Sequence, residues 1–168
     1  MVEYLGPDFL GPVYPKIVEQ ICSNANSKFA AIRQAAVYGI GMVAQHGGAA
    51  FQPLSELCLN SVKTAIEFPM DSKIKEKKSK QSQFFHAKDN AVAALGKVLK
   101  YQNTACDMNI LVPFWLNQLP LTHDMEEAQT QNAFLATSIL QNPTFILGAQ
   151  YERLEHFVGI LGEICSKK

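Results

Sequence analysis

Apolar and small residues recur along the chain at the spacing of a helix. From Ile32 they fall at Ala36, Gly39, Ile40 and Val43, the offsets i+4, i+7, i+8 and i+11. That is the stripe of an amphipathic helix. The same offsets from Ala87 give Ala91, Ala94, Leu95 and Val98; from Ala128 they give Asn132, Leu135, Ala136 and Ile139, with one polar exception. No strand-length window alternates convincingly between apolar and polar residues. The pattern predicts an all-α protein.

Caps and breakers divide the stripes into seven helices. The first runs from about Tyr14 to Cys22. Ser27 is placed to cap the second, and glycine at Gly47-Gly48 supplies the left-handed geometry that ends it. Pro53 fits the first turn of the third, which runs to Phe68-Pro69. The fourth carries the stripe from Ala87. Asp107 caps a helix that ends at Leu119-Pro120, and Asp124 with Glu127 has the spacing of a capping box. The last helix, from about Tyr151 to Cys165, presents Leu154, Phe157, Val158, Leu161 and Ile164 on one side. Short connections imply antiparallel neighbours.

The second stripe begins 55 residues after the first, and the third 41 after the second. The 14-residue excess matches one polar segment, Pro69 to Ser82, which holds five lysines against two acids and is expected to be a solvated inter-helix loop. Without it the period is near 41, that of two-helix HEAT and armadillo repeats. Residues 1–168 are therefore expected to form a single α-solenoid of about three and a half HEAT repeats, built of antiparallel helix pairs.

Composition narrows the function classes. The chain is 48% hydrophobic and 18% charged, below the roughly 25% charge of ordinary domains. A formal net charge of zero argues against direct nucleic-acid binding, which favours a basic balance. The four cysteines, Cys22, Cys58, Cys106 and Cys165, lie far apart without metal-ligand spacing, so reduced, mostly buried thiols are expected, with no metal and no cofactor. No apolar run reaches the roughly 20 residues of a membrane span, and Met1 to Pro7 lacks the pattern of a signal peptide.

No catalytic frame is present. His46, His86, His123 and His156 stand apart from nucleophiles, and no G-x-G-x-x-G or P-loop glycine pattern occurs. Glu126 and Glu127 are about 100° apart on a helix, a poor geometry for paired-carboxylate chemistry. The chain is not expected to be an enzyme.

Longer runs carry a resemblance. Ile32-Arg33-Gln34-Ala35-Ala36-Val37-Tyr38-Gly39-Ile40-Gly41 resembles the second helix of a HEAT repeat, and Asp89 to Val98 resembles the same helix one repeat later, with Gly41 and Gly96 at equivalent places. Leu111-Val112-Pro113-Phe114-Trp115-Leu116-Asn117-Gln118-Leu119-Pro120-Leu121 and Asp124-Met125-Glu126-Glu127-Ala128 are more specific. With Asn142-Pro143 and Leu147-Gly148, they resemble the C-terminal part of karyopherin-beta nuclear transport receptors of the importin-beta-three type. The resemblance covers about Arg33 to Ile164. It implies a fragment of a long solenoid that shuttles between cytoplasm and nucleus. The small GTPase Ran would be engaged by an amino-terminal part absent here. A HEAT scaffold outside transport, such as a phosphatase or chromatin-assembly subunit, is the alternative.

Two binding surfaces follow. Lys73 to Lys100 contains eight lysines against two acids, whereas Tyr101 to Glu163 contains seven acids against Arg153 alone. An acidic face of Asp124, Glu126, Glu127, Glu152 and Glu155 could steer protein cargo with basic segments, or could be ordinary solvated helix starts. By the resemblance, second helices line the concave side, which turns positions near Gln34, Lys88, Glu127 and Gln131 toward cargo. Phe51, Phe114 and Trp115 lie on outer helices, where the family accepts Phe side chains of Phe-Gly nucleoporins. Core packing is the competing role for these aromatics.

Overall fold

A computed structural model describes residues 7–166, the Lys73 side chain excepted. Most of the stretch read for a leader lies outside the described residues. The helices are α1 (Pro7–Leu10), α2 (Tyr14–Asn24), α3 (Ala30–His46), α4 (Ser55–Ile66), α5 (Ser72–Lys75), α6 (Lys78–Tyr101), α7 (Met108–Leu116), α8 (Met125–Gln141), α9 (Pro143–Leu147) and α10 (Leu154–Ser166), with 3-10 turns at Gly11–Val13 and Gly48–Leu54. No strand occurs among the described residues.

The helices form an all-α repeat solenoid. In chain order the first and second helices are α2 and α3, α4 and α6, then α7 and α8; α2 packs on α3 and α4 on α6, whereas α7 and α8 each pack on α6 and α9 packs on α8. First helices pack side by side, α2 on α4, as do second helices, α3 on α6 and α6 on α8. Between the layers lies one continuous core that includes Val18, Ile40, Phe51, Leu95, Trp115 and Leu135. Most of each second-helix stripe read from the sequence faces it: Ala36, Ile40 and Val43, then Ala91, Ala94, Leu95 and Val98, then Ala128 and Leu135 are buried, whereas Ile32 and Ala136, expected on the same stripes, are exposed.

Gly41 and Gly96 explain how closely the second helices approach. A Cβ at Gly41 would lie 3.0 Å from Lys97 Cδ and 3.4 Å from the Ala94 Cα, and one at Gly96 would run into the Gln131 side chain. The two glycines, equivalent in sequence, thus occupy successive crossings, α3 with α6 and α6 with α8.

Local details depart from the sequence expectations for identifiable reasons. Ser27 does not cap α3: Phe29 holds that position, and the Ser27 hydroxyl accepts from the Phe29 N–H at 3.2 Å in the preceding turn. The Ser27 carbonyl accepts from buried Arg33, whose guanidinium stacks 3.8 Å over the Phe68 ring. At the end of α3 Gly47 keeps a helical backbone and the left-handed residue is Gly48, at φ +50°. Pro53 lies in the 3-10 turn before α4 rather than in its first turn.

The stretch 69–82, expected as a loop, is largely helical. Asp71 caps α5 by accepting from the Ile74 N–H at 2.8 Å, and Lys78 already belongs to α6. α6 therefore runs 24 residues against 17 for α3 and for α8. α7 stops at Leu116, three residues early. On α10 only Phe157 and Ile160 are buried; Leu154, Val158 and Leu161, expected on the packed side, are exposed.

Candidate functional site

Side chains of three second helices meet in one groove of about 490 Å³, lined by Ala31, Gln34, Ala35 and Tyr38 of α3, Asn90 of α6, and Asp124, Glu126 and Glu127 at the start of α8. The sequence places these carboxylates at the first turn of α8, where the partial positive charge of the helix end favours them. Asp124 is the N-cap, and its Oδ1 accepts from the Glu127 N–H at 3.1 Å. The reciprocal half of the capping box does not form. Glu127 turns instead into the helix layer, where its Oε1 meets Lys97 Nζ at 2.8 Å, both side chains almost wholly buried.

α6 holds this end of α8 in place. Asp89 Oδ2 accepts from three successive backbone N–H groups, Thr122 at 3.0 Å, His123 at 2.7 Å and Asp124 at 3.0 Å. Asn90 Nδ2 donates to Asp124 Oδ2 at 2.7 Å and to the His86 carbonyl at 3.0 Å. The His123 ring stacks on Phe85, centroids 4.4 Å apart. Bonds from a carboxylate to several N–H groups are among the stronger ones in proteins, so the acidic mouth of the groove is built on a firm support.

The structure sorts the residues singled out from the sequence. Gln34, Asp124, Glu126 and Glu127 come together in the groove, with Glu126 exposed and Gln34 and Asp124 half-buried. Glu127 and Gln131, expected to point outward, are buried, because α8 packs against α6 along that side. Lys88 is half-buried and does not line the groove. Glu152 and Glu155 belong to a second groove, of about 460 Å³, with Leu119, His156 and Glu163. The backbone N–H groups of Glu152 itself and Gln150 hold the Glu152 carboxyl below the usual carboxylate range, with Arg153 adding to the effect. The acidic face is thus two separate sites.

The aromatic surface requires correction. Phe51 and Trp115 are completely buried and serve as core; the Trp115 ring packs 5.4 Å from that of Phe134 on α8. Phe114 alone of the three reaches a surface feature. It lines an apolar groove of about 390 Å³ between α4 and α7, with Leu59, Val62, Leu95, Ile110 and Leu111, rimmed by Glu56, Lys63 and Asp107.

Tyr38, Asp89 and Asn90 were not anticipated as site residues. For Asp89 and Asn90 the signal was present: this polar pair directly precedes the small-residue run of α6 and has no role in a purely apolar stripe.

No protein-family model matches the chain. It is similar to importin subunit beta-3 of Saccharomyces cerevisiae, 30% identical over 137 residues. That similarity suggests the karyopherin, or importin-beta, family. The matched region is 81% of this chain, and the chain spans 11% of the length of that curated relative.

Proposed function

We propose that the chain is a non-catalytic, protein-binding segment of a nuclear import receptor, and that its second-helix layer contributes to holding protein cargo with basic segments. The observation that carries this reading is the convergence of Gln34, Asp124, Glu126 and Glu127 on one groove. Carboxylates gathered there create a local negative field despite a net charge of zero, and such fields steer and orient basic partners. The similarity to a protein named as an importin favours transport over a phosphatase or chromatin scaffold, and a receptor over an enzyme. In this reading the parent protein moves between cytoplasm and nucleus, and control by Ran belongs to parts of the receptor that these residues do not provide.

A second reading concerns the opposite layer. The apolar groove between α4 and α7, with Phe114 in its wall and Ile110 two-thirds exposed at its edge, supports docking of Phe side chains from Phe-Gly nucleoporins.

Both are tested by fluorescence anisotropy on the whole chain, with a labelled Lys-Gly repeat peptide and a labelled Phe-Gly repeat peptide. Glu126→Lys should weaken the first without affecting the second. Ile110→Asp should do the reverse. Basic-peptide binding indifferent to Glu126→Lys removes the cargo assignment from this groove. Phe-Gly binding indifferent to Ile110→Asp removes the nucleoporin assignment from the other.

A further inference from the structure

Two thiols meet inside the layer of first helices, where neither binding groove uses them. Cys22 on α2 and Cys58 on α4 are both buried and both free, and their sulfurs lie 3.8 Å apart, within reach of a thiol hydrogen bond. Buried cysteines commonly serve as small apolar residues, and either one alone needs no further account. Here side chains of two helices meet sulfur to sulfur where α2 packs on α4. A disulfide bond is about 2 Å long, so closing it takes less than about 2 Å of travel, shared between two side chains.

The pair is also chemically unequal. With Cys58 donating its hydrogen, that bond holds the Cys22 thiol below the usual thiol range; the Ser61 hydroxyl adds to the effect, against burial and the charge of Glu19. The same bond and burial push the Cys58 thiol up. One sulfur is thus set toward the thiolate, the form that attacks an oxidant, while its neighbour keeps a proton.

A small oxidant has a route to them. Ser55 and Val62, one turn of α4 to either side of Cys58 and on the same face of the helix, line the apolar groove of about 390 Å³ between α4 and α7. Cys58 therefore lies behind that wall. A disulfide adds no atoms to the packed contact, whereas alkylation must fit a new group there, so the pair can be oxidised in a fold that shuts out an alkylating agent.

We propose that Cys22 and Cys58 form a reversible disulfide in the folded protein, with a hydroperoxide as oxidant, and that the bond locks α2 to α4. First the Cys22 sulfur attacks the terminal oxygen of the hydroperoxide. The O–O bond breaks, a sulfenic acid forms on Cys22, and the leaving oxygen takes the Cys22 proton to become an alcohol, or water where the oxidant is hydrogen peroxide. The Cys58 sulfur then attacks the Cys22 sulfur; the S–O bond breaks, and hydroxide leaves with the Cys58 proton as water. Two thiols lose two electrons and two protons to one peroxide, and a thiol reductant reverses the change by exchange. α2 and α4 are first helices of successive helix pairs. The curvature of a solenoid is the sum of small rotations between neighbouring repeats, and this bond fixes one of them beside the apolar groove.

The test uses the whole chain with Cys106→Ser and Cys165→Ser, which leaves only this pair of thiols. The folded protein is treated with hydrogen peroxide and quenched with acid. Remaining thiols are then alkylated with N-ethylmaleimide in denaturant, for intact mass and non-reducing peptide mapping. Untreated protein should take two maleimides. Treated protein should take none, should be lighter than the untreated, unalkylated chain by about 2 Da, the two hydrogens lost, and should give the Cys22 and Cys58 peptides joined within one chain; dithiothreitol should restore both thiols. Its urea midpoint should rise by about 1–2 M, and hydrogen exchange should slow along α2 and α4. Two maleimides after peroxide, sulfenic or sulfinic acid without a link, a link that forms only in urea, or a midpoint that falls would each overturn the lock. The unaltered chain should yield the same joined peptides, and a link from Cys58 to Cys106 in their place would overturn it too.

Discussion

Lys97→Met tests whether the second-helix layer is held by charge as well as by packing. Lys97 and Glu127 lie 2.8 Å apart with side chains 11% exposed, and at an effective dielectric of about 20 their attraction is about 6 kcal/mol. Desolvation of the two ions offsets most of that, so the pair adds little net stability. Removing one partner is different, because the other charge stays buried alone; such changes cost about 3–5 kcal/mol. A domain has only about 5–15 kcal/mol in total, so Lys97→Met should move the urea midpoint down by about 1.5–2.5 M, taking a slope of about 2 kcal/mol per molar. The double change Lys97→Met with Glu127→Met removes both ions and should return stability to within about 1 kcal/mol of the parent. Equilibrium urea unfolding followed by circular dichroism reads both. A single variant that loses under about 1 kcal/mol, or a double variant no better than the single one, would refute a buried and mutually dependent pair.

Gly96→Ala places a methyl group against Gln131 and should destabilise by about 1–3 kcal/mol, whereas Gly159→Ala and Gly162→Ala, on α10 with open space around them, should stabilise by about 0.5–1 kcal/mol; thermal unfolding of the three variants checks the contrast. Asp89→Ala removes the acceptor of three backbone N–H groups and should cost at least about 2 kcal/mol, with hydrogen exchange accelerated first at residues 122–124. Iodoacetamide should label exposed Cys165 first and half-buried Cys106, whose thiol burial pushes up, more slowly; Cys22 and Cys58, buried with their sulfurs 3.8 Å apart, should react only on unfolding. Mass spectrometry of timed samples gives that order, and early labelling of Cys58 would contradict the packing of α2 on α4.

The helical class and the repeat were legible because a stripe at i, i+4, i+7, i+8 and i+11 has one economical solution, burial against another helix, and three such stripes lie a near-constant distance apart. The lysine-rich stretch misled because charge reports exposure and not backbone conformation. Lys78 to Ser82 are exposed, or nearly so, and helical all the same, since helix started at one end propagates through good helix formers at little cost. Which aromatic faces solvent was not legible either. Phe114 and Trp115 differ by about 100° of helix rotation, and which one points inward depends on where α4 and α8 lie, information that α7 does not contain. Glu127 illustrates the converse. Its place in the capping-box spacing predicted a bond back to the Asp124 N–H, but Asp89 on another helix already accepts that hydrogen, leaving Glu127 free to reach Lys97.

That substitution of one acceptor for another changes what the start of α8 presents to the groove. In an isolated helix a first-turn carboxylate satisfies its own backbone and presents its charge to water. Here α6, which lies between α3 and α8, supplies the backbone's needs through Asp89 and holds the cap through Asn90, so the first-turn acids of α8 are released for other work. One of them is spent on the buried bond to Lys97, its second oxygen buried as well; the other, Glu126, has no ion-pair partner among the described residues. The layer of first helices offers no such surplus. Phe51 and Trp115 turn wholly into the core, and the groove left between α4 and α7 is walled chiefly by Leu59, Val62, Ile110, Leu111 and Phe114. The same repeat therefore yields an acceptor-rich groove on one layer and an apolar one on the other, and the difference originates in the central helix, at the Asp89-Asn90 pair directly before its run of small residues from Ala91.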